Sequence, residues 1–249
     1  MRKRAGGGVL VSYALWFAAA GGCGGRVSAD AGGGGSDAAS DGGGATDAGA
    51  PAPVSGTITE RGSVPTAPIG GAAVSIVDAL PANTTTTAAD GTYTLLVAPG
   101  TTVYVRAEAA GVATAQKGLV VPTGGATVDL ALVPQVAVNA VAAQLGITID
   151  PARGEMIVEF ATSSTAGGLG ATLSAVHDPS FAFDAAGTAT TTDTTLPNGE
   201  QALFYPNVTA GTTTVLLAAP AGTACAPRNP LPEWRVDPLV FTDVDADCL

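Results

Sequence analysis

Alternation of apolar and polar residues dominates the chain from Val54 onward. Val54-Ser55-Gly56-Thr57-Ile58 alternates, as do Val74-Ser75-Ile76, Tyr93-Thr94-Leu95, Val103-Tyr104-Val105 and Val128-Asp129-Leu130. A period of two sends every second side chain to one face, so each segment predicts a half-buried strand. Turn signals lie between them: Asp90-Gly91, Pro99-Gly100, Gly111 and Gly124-Gly125. Valine and threonine abound, and both favour a pleated surface. One segment departs from this pattern. Val136–Leu145 (VAVNAVAAQL) does not alternate and stops at Gly146, which predicts a short connecting helix. The expected class is all-β: tandem antiparallel sandwiches joined by a short helical or irregular segment.

The strand pattern occurs twice. Gly56 is followed by Gly71-Ala72-Ala73-Val74-Ser75-Ile76, and Gly154 by Gly170-Ala171-Thr172-Leu173-Ser174-Ala175. Gly91-Thr92-Tyr93-Thr94-Leu95 and Gly100-Thr101-Thr102-Val103 likewise correspond to Gly199–Phe204 and Gly211–Val215. Two copies of one module are expected, at 54–134 and 150–249, with 135–149 as connector. The second copy is the more diverged.

Residues ahead of Val54 obey different rules. Arg2, Lys3 and Arg4 precede an apolar run from Val9 to Ala20, too short to span a bilayer and flanked as a signal peptide is. It ends Ala20-Gly21-Gly22-Cys23, which resembles the lipobox of bacterial lipoproteins, with Ala20 where that motif usually has leucine. The resemblance implies removal of residues 1–22 and lipid attachment to Cys23. One acyl chain binds membranes only weakly, at roughly 10⁴ M⁻¹, so stable anchoring takes more than one. Gly24 lacks the aspartate that signals inner-membrane retention in enteric bacteria, so the outer membrane or cell surface is the expected destination. Residues 24–53 are almost all Gly, Ala, Ser, Thr and Asp, without an aromatic. Such a segment cannot bury enough apolar surface to offset its ordering entropy. Together with Cys23 it reads as a disordered tether, with a root-mean-square reach of roughly 30 Å for a glycine-rich coil of that length.

The first module resembles the carboxypeptidase regulatory-like (transthyretin-like) β-sandwich family. The residues that carry the likeness are Gly56, Gly71-Ala72-Ala73-Val74, Thr87-Ala88-Ala89-Asp90-Gly91-Thr92-Tyr93-Thr94-Leu95, Pro99-Gly100 and Gly111, with Val112 replacing the usual aromatic. Residues 150–249 fit more loosely, through Phe204-Tyr205-Pro206-Asn207-Val208 and Gly211. The resemblance implies non-catalytic modules that support folding, spacing or ligand contact.

Charge and candidate chemistry narrow the function further. The chain carries 21 acidic and 10 basic residues, and loss of residues 1–22 removes three basic and no acidic ones. A mature chain this acidic is a poor partner for nucleic acid or anionic lipid headgroups. Cys225 and Cys248 are the cysteines left after lipidation, and an exported chain is expected to pair them. His177 is the sole histidine, which disfavours histidine metal sites and serine–histidine triads; it is expected at a strand end or surface. Asp243, Asp245 and Asp247 begin like a calcium loop, but the chain ends before the required glycine and glutamate. A strand accounts for them better, with Val240, Thr242, Val244, Ala246 and Cys248 inward and the aspartates toward water. Glu155 and Glu159 share one strand rather than facing across a cleft, as paired glycosidase carboxylates would. No catalytic residue, metal or cofactor is expected.

Aromatic side chains of the second module (Tyr205, Trp234 and Phe241, with Phe181 and Phe183 nearby) are the candidate ligand contacts. The expected function is a monomeric, non-catalytic envelope lipoprotein that displays tandem sandwiches as a structural, scaffold or adhesion module. The alternative is a ligand-binding accessory, for glycan or peptide, using loops and aromatics of the second module.

Overall fold

The structure, a computed structural model, describes residues 50–249. The signal peptide, Cys23 and the tether as far as residue 49 lie outside the described residues. From Ala52 onward the chain is nearly all strand, with one helix, Gln135–Leu145. The first strand, Ala52–Glu60, begins within the last residues assigned to the tether.

Both halves wind in the same way. Ala52–Glu60 pairs antiparallel with Thr92–Val97 and parallel with Leu130–Leu132. Arg153–Ala161 pairs antiparallel with Ala202–Thr209 and parallel with Val240–Cys248. The glycines that marked the repeat sit at equivalent places. A Cβ on Gly56 would lie 2.0 Å from the Val128 carbonyl oxygen, and one on Gly154 would lie 2.3 Å from that of Asp237. In each half the opening strand therefore needs glycine where the chain returns beside it. The expected strand at Val128-Asp129-Leu130 is broken at this crossing. The Asp129 carboxylate accepts hydrogen bonds from the Thr57 amide and hydroxyl, and the Val128 carbonyl accepts one from the Tyr93 hydroxyl. Val128 and Asp129 thus bridge two short strands, Ala126–Thr127 and Leu130–Leu132.

The halves are fused through one ten-stranded sheet. Val240–Cys248, the last strand of the second half, pairs parallel with Thr114–Val120 of the first, with Asp243 opposite Lys117. From this seam the sheet continues through Thr102–Glu108, Ala73–Ile76 and Thr84–Thr86 on one side. On the other it runs through Arg153–Ala161, Ala202–Thr209, Phe181–Phe183 and Ala189–Thr191. A parallel pair between distant strands needs both faces covered, and both are. Over the first half a five-stranded sheet around Ala52–Glu60 covers one face, burying Val54, Ile58, Val74, Val105 and Leu119. Over the second half the opposite face packs on two small ladders, Gly170–Leu173 with Val215–Ala218 and Gly211–Thr213 with Trp234–Val236. Trp234, Tyr205, Met156 and Leu203 fill that core.

The predicted helix forms one residue earlier than expected and ends at Gly146, whose φ of 69° places it in the left-handed region. The Gly146 amide bonds back into the last turn, and glycine enters this conformation without a Cβ clash. Ala142 alone on the helix is fully buried, and Val136 is 64 % exposed. For so apolar a helix this is loose packing.

Candidate functional site

Two groups of side chains stand out on the face of the large sheet that bears Phe241 and Asp243. The first is an ion-pair network at the seam. Lys117 Nζ lies 2.9 Å from Asp243 Oδ2 and 3.0 Å from Asp245 Oδ1. Arg61, from the turn after the first strand, pairs with Glu159 and, at 2.8 Å, with Glu200. Arg228 reaches Asp245 at 3.7 Å and Asp247 at 2.6 Å from the outside.

The expectation that these aspartates face water is corrected for Asp243 and Asp245, while the Asp247 side chain is 48 % exposed as expected. Asp243 is 6 % exposed, because the strand Thr114–Val120 lies beside it and Arg61 and Lys117 close over it. The alternation itself is as expected, with Val240, Thr242, Val244, Ala246 and Cys248 all buried on the opposite face. A strand paired on both edges and covered on both faces leaves no side for solvent.

Burial raises the Asp243 carboxyl above the usual aspartate range, the Glu159 charge adds to this, and Lys117 opposes it. Glu159 moves the other way: burial works against its charge, but Arg61 and Lys117 outweigh it. Glu159, Asp243 and Asp245 bring carboxylate oxygens within 4.8 Å of one another, close enough to hold a cation. The Lys117 ammonium already bridges two of the three, and Arg61 holds the third. The cluster is thus occupied by cations of its own chain and acts as a joint between the halves. Sequence reading missed Lys117, because the mixed segment Thr114–Val120 (TAQKGLV) gives no local sign that its lysine is buried.

The second group is a cavity of about 850 Å³ between the helix and the sheet. The five-stranded sheet that covers this face over the first half stops at the seam. Beyond it the single helix must cover the second half, and it leaves space beneath. The floor is aromatic: Phe181 stacks on Phe204 at 5.1 Å, and Phe183 meets Phe204 edge-on at 5.2 Å. Phe241 extends the floor, while Ala137, Val138 and Val141 form the roof. The charged groups around the rim and walls are Glu60, Arg61, Glu155 and Glu200. The volume lies within the range typical of small-molecule sites.

The predicted contact residues separate in the structure. Phe241 turns its ring into this cavity, whereas Tyr205 and Trp234 both pack in the core on the opposite face of the sheet, where the Tyr205 hydroxyl donates to the Ala171 carbonyl. All three are buried, at 2 %, 9 % and 2 % exposure for Tyr205, Phe241 and Trp234. Phe181 and Phe183 also line the cavity. His177 is half-buried, bonds the Asp178 carbonyl through Nδ1 at 2.6 Å and meets Tyr205 edge-on. Glu155 and Glu159 share a face of one strand but have parted ways, Glu159 into the ion pairs and Glu155 into the cavity.

Glu155 is 5 % exposed and faces the cavity without an ion-pair partner among the described residues. Burial pushes its carboxyl up to about 7. The folded-state value lies above the unfolded one, so its neutral form is favoured on folding. That contribution is complete below about pH 4.5 and is lost as pH rises through about 7. Glu155→Gln keeps the shape and removes the charge. Its stability relative to the parent, measured by urea midpoints, is expected to improve by up to about 3 kcal/mol between pH 5 and pH 8. A difference independent of pH would show that Glu155 is solvated.

The fold and these two sites define the class: an all-β protein of fused sandwiches, with a charged seam and an apolar cavity. No known protein family matches this chain, and none of the curated proteins does. Among solved structures the Bacillus anthracis TIE protein is 15 % identical over 80 % of this chain, with a TM-score of 0.28. This chain spans 34 % of that one. The shaft pilin SpaA from Lactobacillus rhamnosus GG is 14 % identical over 79 % of this chain and 97 % of its own, at a TM-score of 0.28. The minor pilin GBS52 of Streptococcus agalactiae is 10 % identical over 80 % of this chain and 96 % of its own, at 0.25.

Proposed function

We propose that this chain is a non-catalytic envelope lipoprotein that displays two fused β-sandwiches on a flexible tether, as a structural, scaffold or adhesion module. The observation that carries the reading is the single sheet running through both halves and closed at its seam by buried ion pairs. A body built this way moves as one piece, which suits a surface element that must transmit position or load. The carboxypeptidase regulatory-like resemblance of the first half supports the same role. Signal peptide, lipidated Cys23, acidic tether and outer-membrane destination belong to this proposal. Mass spectrometry of the mature N-terminus is its test. Cleavage before Cys23 with diacylglyceryl and N-acyl mass added is expected, and Cys23→Ser should abolish both and release the protein from membranes. Cleavage elsewhere, with an unmodified thiol, would refute the anchoring.

A second reading, ligand binding, is favoured by one specific observation: the cavity beneath the helix, lined by Phe241, Phe181, Phe183 and Phe204. The chemistry of its walls suits an apolar small molecule better than a glycan, which needs several polar partners per ring.

A further inference from the structure

The space of about 850 Å³ under the apolar helix opens to solvent on one side and is lined mainly by apolar side chains, as ligand clefts are. The helix does not collapse onto the floor. The phenylalanines below it (Phe181, Phe183, Phe204 and Phe241) are carried by the sheet, and the first three also pack ring against ring. Glu155 is the polar group placed among them. The charged groups that share the cavity do not serve it. Arg61 gives one terminal nitrogen to Glu159 and the other to Glu200, and its Nε is buried without a partner. Its guanidinium also lies over the Phe204 ring, 5.5 Å from the centroid. Glu200 is committed to Arg61 in return. The charge left over is negative: Glu155 deep in the wall and Glu60 beside the entrance strand. A buried carboxylate without a cation is costly, and the aromatic floor around it attracts cations through the ring faces.

Resting on the ligand-binding reading above, we infer that the cavity takes an apolar amine: a hydrophobic molecule whose single ammonium group pairs with Glu155 while its hydrocarbon or aromatic body lies on Phe181, Phe183 and Phe241. The occupant is defined by both ends. Its body is excluded from water by the Val138 and Val141 roof, and its charge supplies the partner that Glu155 lacks. An anionic amphiphile of the same size meets Glu155 and Glu60 with no free cation to offset them. A neutral one gains the apolar burial alone.

Isothermal titration calorimetry on the full chain with octylammonium, octanol and octanoate separates these terms. At pH 8 octylammonium is expected to bind at least tenfold tighter than octanol, with octanoate weakest. Glu155→Gln should lower octylammonium affinity about tenfold and leave octanol unchanged. The unsubstituted protein supplies an independent check. Octylammonium should bind about tenfold more weakly at pH 5, where Glu155 is protonated, and octanol should not change. Ala137→Phe, which fills the roof, should weaken octylammonium and octanol alike. If none of the three probes binds, both the inference and the ligand-binding reading fall. If octanol and octylammonium bind equally at pH 8, or octanoate binds best, the inference falls and the ligand-binding reading stands.

Discussion

Lys117→Met is expected to destabilise the folded protein by about 3–5 kcal/mol, the usual consequence of removing one partner from a buried ion pair. The Lys117 side chain is 9 % exposed, and Asp243 and Asp245 are 8 % and 16 % exposed. Methionine fills the same volume without charge, so packing is nearly conserved and the loss is electrostatic. Asp243 is the residue left worst placed, since Arg61 and Arg228 serve other carboxylates. The pH dependence distinguishes this cause from a packing defect. Asp243 has a folded-state value raised by burial, so its neutral form is favoured on folding and that preference is lost as pH rises. Without Lys117 the carboxyl shifts further in the same direction. The penalty of Lys117→Met should therefore be smaller at pH 5 than at pH 8 in guanidinium titrations. An equal penalty at both would assign the loss to packing. Because Lys117 belongs to one half and Asp243 to the other, the variant should also separate the unfolding of the two halves into distinct transitions.

Loss of the Cys225–Cys248 bridge should cost about 3 kcal/mol, the loop-entropy value for a closure of this size. The two cysteines lie 23 residues apart and face each other directly in the ladder between Cys225–Pro227 and Val240–Cys248. Ala224 and Leu249 exchange backbone hydrogen bonds of 3.0 Å just beyond them. The bridge therefore confines the unfolded chain more than it shapes the folded one. It also pins the end of the strand that forms the seam, so fraying there reaches Asp245 and Asp247 first. Comparing Cys225→Ser/Cys248→Ser with the parent in guanidinium measures the effect. Dithiothreitol should reproduce it in the parent and do nothing to the double variant. A loss below about 1 kcal/mol would mean that the ladder alone holds the terminus.

Much of the fold was legible residue by residue. Period-two alternation located the strands, Gly146 marked the end of the helix, and Gly56 and Gly154 marked equivalent crossings in two related halves. Each of these is a local property: a pleat, a positive φ, a missing Cβ. The error at Val128-Asp129 is instructive for the same reason. Its alternation is that of a strand, but the side chain of Asp129 bonds Thr57, 72 residues away, and the backbone breaks to let it. The candidate site was half legible. Tyr205 and Phe241 could be named as aromatics of the second module, but not which face of the sheet each would meet.

What the chain determines by itself is therefore the inventory: strands, one helix, two cysteines besides Cys23, and an acidic balance. What tertiary structure alone decided is which sides of those strands meet water. Asp243 alternates like an outward residue and is buried because Thr114–Val120 pairs beside it across more than a hundred residues. Glu155, which the strand pattern places only on the same strand as Glu159, sits in an apolar wall, because the covering sheet ends at the seam and a helix takes over. Alternation specifies two faces of a strand; burial depends on what is laid against them, and that is set by long-range pairing. Cys225 and Cys248 escape this limit: the expectation that they pair needed no knowledge of their neighbours, and the structure joins them.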